Sequence, residues 1–180
     1  WTVSKSSSKP HPEHFPLIRM ANWSGNVGAS GNQIYTAQDI EDLNSKWYYT
    51  KDSWQTLDAK SVLPQSAVAY FFANALAREL KDTPIGIIDI SRGGTLAEAF
   101  IAPDVLRADP ALRPAFENPR EARTTGQWAA GRIAKNLTGY THPDPTKPHP
   151  HPFAPGFLYE ASMKHIVPFR FRGVIWYQGE

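Results

Sequence analysis

One stretch limits the choice of fold more than any other: an amphipathic segment at 64–80, a β-branched run, then a double glycine. Val68, Phe71, Phe72, Ala75, Leu76 and Leu80 recur at spacings of three and four, which predicts a helix whose apolar face is that stripe. Ser66 stands where a side-chain cap is needed, and Arg78 and Lys81 suit the negative end of the helix dipole. After Asp82-Thr-Pro84, the run Ile85-Gly-Ile-Ile-Asp-Ile90 has the continuous apolar character of a parallel strand buried on both faces. Ser91-Arg-Gly-Gly-Thr95 follows as a turn, and Leu96-Ala-Glu-Ala-Phe100 as the opening of a further helix. A second round comes late in the chain: a helix candidate at 157–167, the buried-strand candidate Phe171-Arg-Gly-Val-Ile-Trp-Tyr177, then Gln178-Gly179-Glu180. Helix, strand and turn in repetition predict an α/β fold with parallel strands.

The remaining segments are less regular. Phe15-Pro-Leu-Ile-Arg-Met20 is a short strand candidate behind an exposed Ser-, Lys- and Pro-rich entry. Residues 21–64 read as a long loop decorated with Trp23, Trp47, Tyr48, Tyr49 and Trp54, with a small hairpin at 46–54. The stretch 102–137 predicts helical pieces broken by Pro103, Pro110, Pro114 and Pro119, with 127–135 the best helix. Six prolines and three histidines at 139–156 predict a surface loop.

Composition removes several functions. Nineteen Lys and Arg against 17 Asp and Glu leave a net charge of +2, with the basic residues scattered, so neither nucleic acid nor an anionic membrane is an expected partner. The absence of cysteine excludes thiol catalysis and Cys-ligated zinc. No apolar run approaches the ~20 residues of a membrane-spanning helix, and the first residues lack a signal-peptide core. His142, His149 and His151 are separated by prolines in a way that suits a solvated loop better than convergence on one metal ion, and His11, His14 and His165 read as surface or helix-packing residues. Neither a metal nor a cofactor is expected. Asn22-Trp-Ser24 and Asn136-Leu-Thr138 match the glycan-acceptor pattern.

In parallel sheets ligands bind beyond the carboxyl ends of the strands. Two segments fall there, Ser91-Arg-Gly-Gly-Thr95 and Gln178-Gly179-Glu180. Adjacent glycines let the backbone turn tightly and approach a ligand closely, and a helix opening behind them directs N–H groups at an oxyanion or a phosphate. A plain tight turn is the ordinary alternative. The phosphate-loop and dinucleotide glycine patterns are both missing, which disfavours nucleotide binding. Glu180 is a carboxylate at a strand end, and becomes chemically active only with a histidine or metal beside it; otherwise it is a solvated loop acid.

Ala67-Val-Ala-Tyr-Phe-Phe72, Pro84-Ile-Gly-Ile-Ile-Asp-Ile-Ser-Arg-Gly-Gly-Thr-Leu-Ala-Glu-Ala-Phe100 and Gly173-Val-Ile-Trp-Tyr-Gln-Gly-Glu180 together resemble the carbohydrate O-acetylesterases of the SGNH hydrolase superfamily. The branch most similar in pattern holds sialate O-acetylesterase-like proteins and acetylxylan esterases. The likeness is collinear from about Phe15 to the end. It implies a flavodoxin-like three-layer α/β/α domain with a parallel sheet, and a serine esterase that removes acetyl groups from a glycan through an acyl-enzyme. It implies Gly94, with Gly93, as the oxyanion-hole glycine, and Glu180 as the candidate triad acid. Arg92, Gln178 and Tyr177 would line the substrate pocket, with Arg92 standing where the family usually has Trp. A secreted or periplasmic bacterial protein is the corresponding expectation.

The departures are equally specific. The sequence has no Gly-Gln-Ser-Asn-Met nucleophile motif, no Asp-x-x-His and no Asn two residues beyond the Gly-Glu pair. Trp1 resembles the aromatic that follows the nucleophile motif by two residues. Residues 1–180 are therefore expected to be the central part of one catalytic domain, with the nucleophile block before Trp1, the histidine block after Glu180, and the rest of that domain as a partner. Two alternatives stand beside this reading: a non-catalytic carbohydrate-binding module using the aromatic loop, and an SGNH esterase acting on non-carbohydrate esters.

Overall fold

The computed structural model describes residues 2–23, 33–43, 48 and 54–179. In chain order the strands are β1 (Ile18–Asn22), β2 (Gln55–Thr56) and β3 (Ile85–Asp89). The α-helices are α1 (Ala37–Asp42), α2 (Ala67–Leu80), α3 (Pro103–Ala108), α4 (Arg113–Glu117), α5 (Ala122–Thr125), α6 (Gln127–Asn136) and α7 (Lys164–Ile166). The protein is a mixed α/β chain with one small three-stranded sheet among the described residues, and it divides into two compact units, the first drawn from 1–24 and 51–91, the second from 25–50 and 92–180.

The first unit is built on the helix and strand that dominate the sequence. Ser66 Oγ accepts from the Ala69 N–H at the start of α2, and the helix closes at Lys81, whose φ of 47° no α-helix can continue. The buried stripe is not the expected one. Ala69, Tyr70, Ala73 and Ala77 face the core, whereas Val68, Phe72 and Leu80 are 37%, 45% and 50% exposed. Both stripes repeat every four residues one position apart, so the period identifies a helix without saying which side is inside. Alanines at 69, 73 and 77 let the helix axis approach the sheet closely, and Tyr70 fills the remaining depth among Phe15, Ile18 and Met20.

The strand order is β2-β1-β3. β1 runs parallel to β3, pairing Ile18 with Ile85 and Asn22 with Asp89, and antiparallel to the short β2. The 85–90 run is thus a parallel strand, as expected, but not one buried on both faces. Lying at the edge of the sheet, it buries Ile85 and leaves Gly86 exposed, with the Trp54 ring 3.4 Å from where a Gly86 Cβ would be. The 15–20 run begins as a 3₁₀ segment, Pro12–Leu17, before β1 takes over. The anticipated hairpin at 46–54 falls almost wholly outside the described residues, and β2 pairs with β1.

Tyr70 ties the entry segment to this core: its hydroxyl accepts from the His11 N–H at 2.8 Å, and its ring meets Phe71 edge-on at 5.0 Å. Tyr70→Phe keeps the ring and removes the acceptor, so it is expected to cost about 1 kcal/mol. A urea titration reads that loss as a lower midpoint with an unchanged slope.

The second unit is helical. Pro103 and Pro114 sit in the first turns of α3 and α4, where a missing N–H costs nothing, so the prolines start helices as well as ending them. Thr36 and Asp39 form a reciprocal capping box on α1. The Pro- and His-rich segment departs from expectation. Residues 150–158 are buried, with Phe153, Phe157 and Leu158 in the core and His151 wholly enclosed. An imidazole can be buried when both nitrogens are bonded. His151 Nδ1 accepts from the Phe153 N–H at 3.0 Å and Nε2 lies 3.1 Å from Asn136 Oδ1. Asn136 is itself buried, which removes it as a glycan acceptor in the folded chain.

The helix expected at 157–167 is present over 157–166, with a π-turn at Tyr159–Met163 leading into α7. The last expectation fails. Residues 171–177 form no strand, and Val174, Trp176 and Tyr177 are 77%, 57% and 86% exposed. Strand composition yields a strand only through pairing, and this segment pairs with no strand among the described residues.

Candidate functional site

The double glycine forms a defined turn. The Thr95 N–H bonds to the Arg92 carbonyl at 3.4 Å, and Gly94 has a φ of +77°, the marks of a type II turn with glycine at its third position. Behind it stands only the 3₁₀ turn Ala97–Phe100, not the α-helix expected, so no helix dipole of any strength points at the turn. What the turn offers is backbone. Among the described residues, neither the Gly93 nor the Gly94 N–H is spent on a hydrogen bond.

The wall beside Gly94 is aromatic. A Cβ there would lie 2.6 Å from the Trp128 ring and 3.3 Å from Phe153, so glycine is needed for space as well as for its dihedral. Trp128 and Phe153 have centroids 5.0 Å apart, and Arg132, one helical turn along α6, places its guanidinium carbon 5.8 Å from the Trp128 centroid. Phe153 continues into His151, which stacks on Tyr35 at 5.7 Å.

Two guanidinium groups, Arg92 and Arg132, act on the buried titratable groups here. Burial, with smaller contributions from Arg132 and then Arg92, pushes the His151 imidazolium down to a pKa of about 3. Burial raises the Tyr35 hydroxyl to about 12, with Arg92 and Arg132 pulling the other way. Burial likewise raises Tyr48 to about 12, against the same pull from Arg92. With Nδ1 accepting, the Nε2 of neutral His151 carries the proton and donates to Asn136, so no nitrogen is left to act as a base.

Gln178 meets this turn. Its side-chain amide donates to the Thr95 carbonyl at 2.7 Å across 83 residues of sequence. Thr95 is 1% exposed, and its hydroxyl has no hydrogen-bond partner among the described residues. Arg92, Gly93, Gly94 and Gln178 are therefore brought together. Tyr177, which follows Trp176 into solvent, is 86% exposed, and Glu180 lies outside the described residues. Trp128, Arg132, Phe153 and Thr95 join the site without having been singled out. The spacing of Trp128 and Arg132 on the best helix of the middle segment was the available signal.

The other candidates separate. Tyr48 is wholly buried, edge-on to Phe157 at 5.1 Å, so its face cannot meet a sugar, and Trp47 and Tyr49 lie outside the described residues. His142 uses both nitrogens, one accepting from the Asp144 N–H and one facing the Pro148 carbonyl at 3.0 Å. His149 is held down to about 4 by burial, then by His142 and Arg120. His11 pairs with Glu13 at the surface, and His14 bonds Asn74 of α2. No group of three His, Cys, Asp or Glu able to hold a metal ion occurs among the described residues, and no helix of the described residues is long and apolar enough to cross a membrane. No family model, curated protein or solved structure matches the chain.

Proposed function

We propose that the chain forms part of a serine esterase that removes O-acetyl groups from carbohydrate, with the turn at 92–95 binding the oxyanion. The observation that carries this reading is the Gln178 to Thr95 hydrogen bond, which brings the segment after 171–177 against the double-glycine turn although 83 residues of sequence separate them. Attack on an acetyl carbonyl places negative charge on oxygen, and backbone N–H groups aimed at that oxygen lower the barrier most where water is excluded. Gly93 and Gly94 supply such donors, buried Phe153 and the inner face of Trp128 wall one side, and Arg92 and Arg132 are the cationic groups nearby. In this reading the acyl-enzyme serine and its histidine base come from other parts of the same catalytic domain, with Glu180 as the acid that orients the base. The parallel pairing of β1 with β3 is compatible with a flavodoxin-like α/β/α domain. Polymeric acetylated glycan as substrate agrees with a secreted or periplasmic location.

Exposed Trp128 and Trp176 favour one second reading, a carbohydrate-binding surface without chemistry. Acetate release from acetylated xylan, O-acetylated sialic acid and an aryl acetate, measured on the whole polypeptide that carries this chain, separates the cases. Release from a glycan, abolished by a fluorophosphonate, is expected. Gly94→Ala should lower it on the order of 100-fold, the effect of disturbing one oxyanion donor. Glycan binding without acetate release would support the binding surface, and turnover of the aryl acetate alone a non-carbohydrate esterase.

A further inference from the structure

We propose that the second unit carries a separate site for a singly charged sugar acid of the uronate type, in the cleft between α3 and the π-turn. This inference does not rest on the esterase reading. The cleft has a volume of about 380 Å³, within the ~300 to 1,000 Å³ of small-molecule sites. Asp104 and Arg107 come from α3, Lys147 from the loop ahead of the buried segment, and Tyr159, Glu160 and Lys164 from the helix that contains the π-turn. A π-turn widens the helix locally and recurs at functional sites. Here the Lys164 N–H reaches back to the Tyr159 carbonyl, and the widened turn carries Tyr159 and Glu160 in the cleft wall.

Charge selects the ligand. Lys164 is paired with Glu160. Arg107 and Lys147 form no ion pair with a carboxylate among the described residues, while Asp104 is the one other acid in the lining. One positive charge is left over. The Arg107 guanidinium is held in place, with one nitrogen donating to the Thr146 carbonyl at 2.8 Å and its carbon 5.8 Å from the Phe116 centroid. The rest of its planar fork matches a carboxylate. A dianion would meet Asp104 and Glu160 unfavourably, whereas hydroxyl groups are the donors those carboxylates accept from. A molecule with one carboxylate and several hydroxyls satisfies both halves of the lining.

Calorimetric titration of the 180-residue chain with glucuronate, glucose and inorganic phosphate at low salt tests this. Saturable glucuronate binding is expected, with glucose weaker by about tenfold or more because the charge-assisted bond is lost. Arg107→Gln should weaken glucuronate by about tenfold while leaving glucose unchanged. Because Arg107 also contacts Thr146 and Phe116, Lys147→Gln on the exposed rim provides a second variant, expected to weaken glucuronate and flatten its salt dependence. Absence of glucuronate binding, equal affinity for glucose, tighter binding of phosphate, or indifference of a folded variant would each overturn the proposal.

Discussion

Lowering the pH from 7 to 4 is expected to remove about 3 kcal/mol of stability through His151 alone. The folded chain holds this imidazole neutral, with a pKa of about 3, against an ordinary value of 6.5. Between those values the unfolded chain binds a proton that the folded chain refuses, so stability is complete above about pH 6.5 and falls at ~1.4 kcal/mol per pH unit as pH drops toward 3. The cause is structural. His151 is wholly enclosed between Tyr35 and Phe153, its Nδ1 already accepts a backbone proton, and Arg132 and Arg92 oppose any added charge. His149, lowered to about 4, acts in the same direction, but solvent screening reduces its share. Carboxylates also contribute to acid unfolding, so the informative quantity is a difference between two proteins. Urea midpoints at pH 7, 5.5 and 4 should fall more steeply for the wild type than for His151→Gln, although the variant starts less stable at pH 7. Parallel pH profiles would show that His151 is not the group responsible.

The same histidine marks where sequence reasoning succeeded and where it stopped. The α2 helix, its Ser66 cap, the extended run at 85–89 and the proline-broken helices of 102–137 all follow from local rules, because capping, period, β-branching and proline geometry act within a few residues. Which stripe of α2 is inside does not follow, since Ala69, Ala73 and Ala77 become valuable only when a sheet approaches them. The burial of 150–158 is equally non-local. Polar and proline-rich residues read as surface until a partner such as Asn136 satisfies the imidazole. For 171–177 the error runs the other way: composition specifies a strand, but a strand exists only by pairing. The Gly93-Gly94 turn was legible because a glycine at positive φ is a local requirement. Its wall of Trp128 and Phe153 was not, because those side chains arrive from α6 and from the buried loop.

Gly156→Ala is the substitution expected to cost the second unit most, about 3 kcal/mol. Gly156 has a φ of +79°, where a side chain adds ~1 to 2 kcal/mol of backbone strain. Its N–H also donates to the Glu98 carbonyl at 2.9 Å, which keeps the backbone from relaxing. The added methyl would stand 3.2 Å from Pro103 and 3.4 Å from Leu106 and Phe116, and overpacking of that kind adds ~1 to 3 kcal/mol. Gly139 is the matched control. It shares the dihedral, with a φ of +77°, but a Cβ there meets nothing within 4 Å, so Gly139→Ala should show the backbone share alone. Equal losses in the two variants would mean that the packing against α3 and α4 is not as tight as described. Gly94→Ala adds a third case, because its closest obstruction is the far edge of the Trp128 ring, a side chain 55% exposed, with Phe153 at 3.3 Å beyond it. Its stability should therefore fall nearer to Gly139→Ala than to Gly156→Ala, while its tryptophan emission shifts to the red. A large activity loss in a variant that remains this stable would trace to the turn itself and not to unfolding.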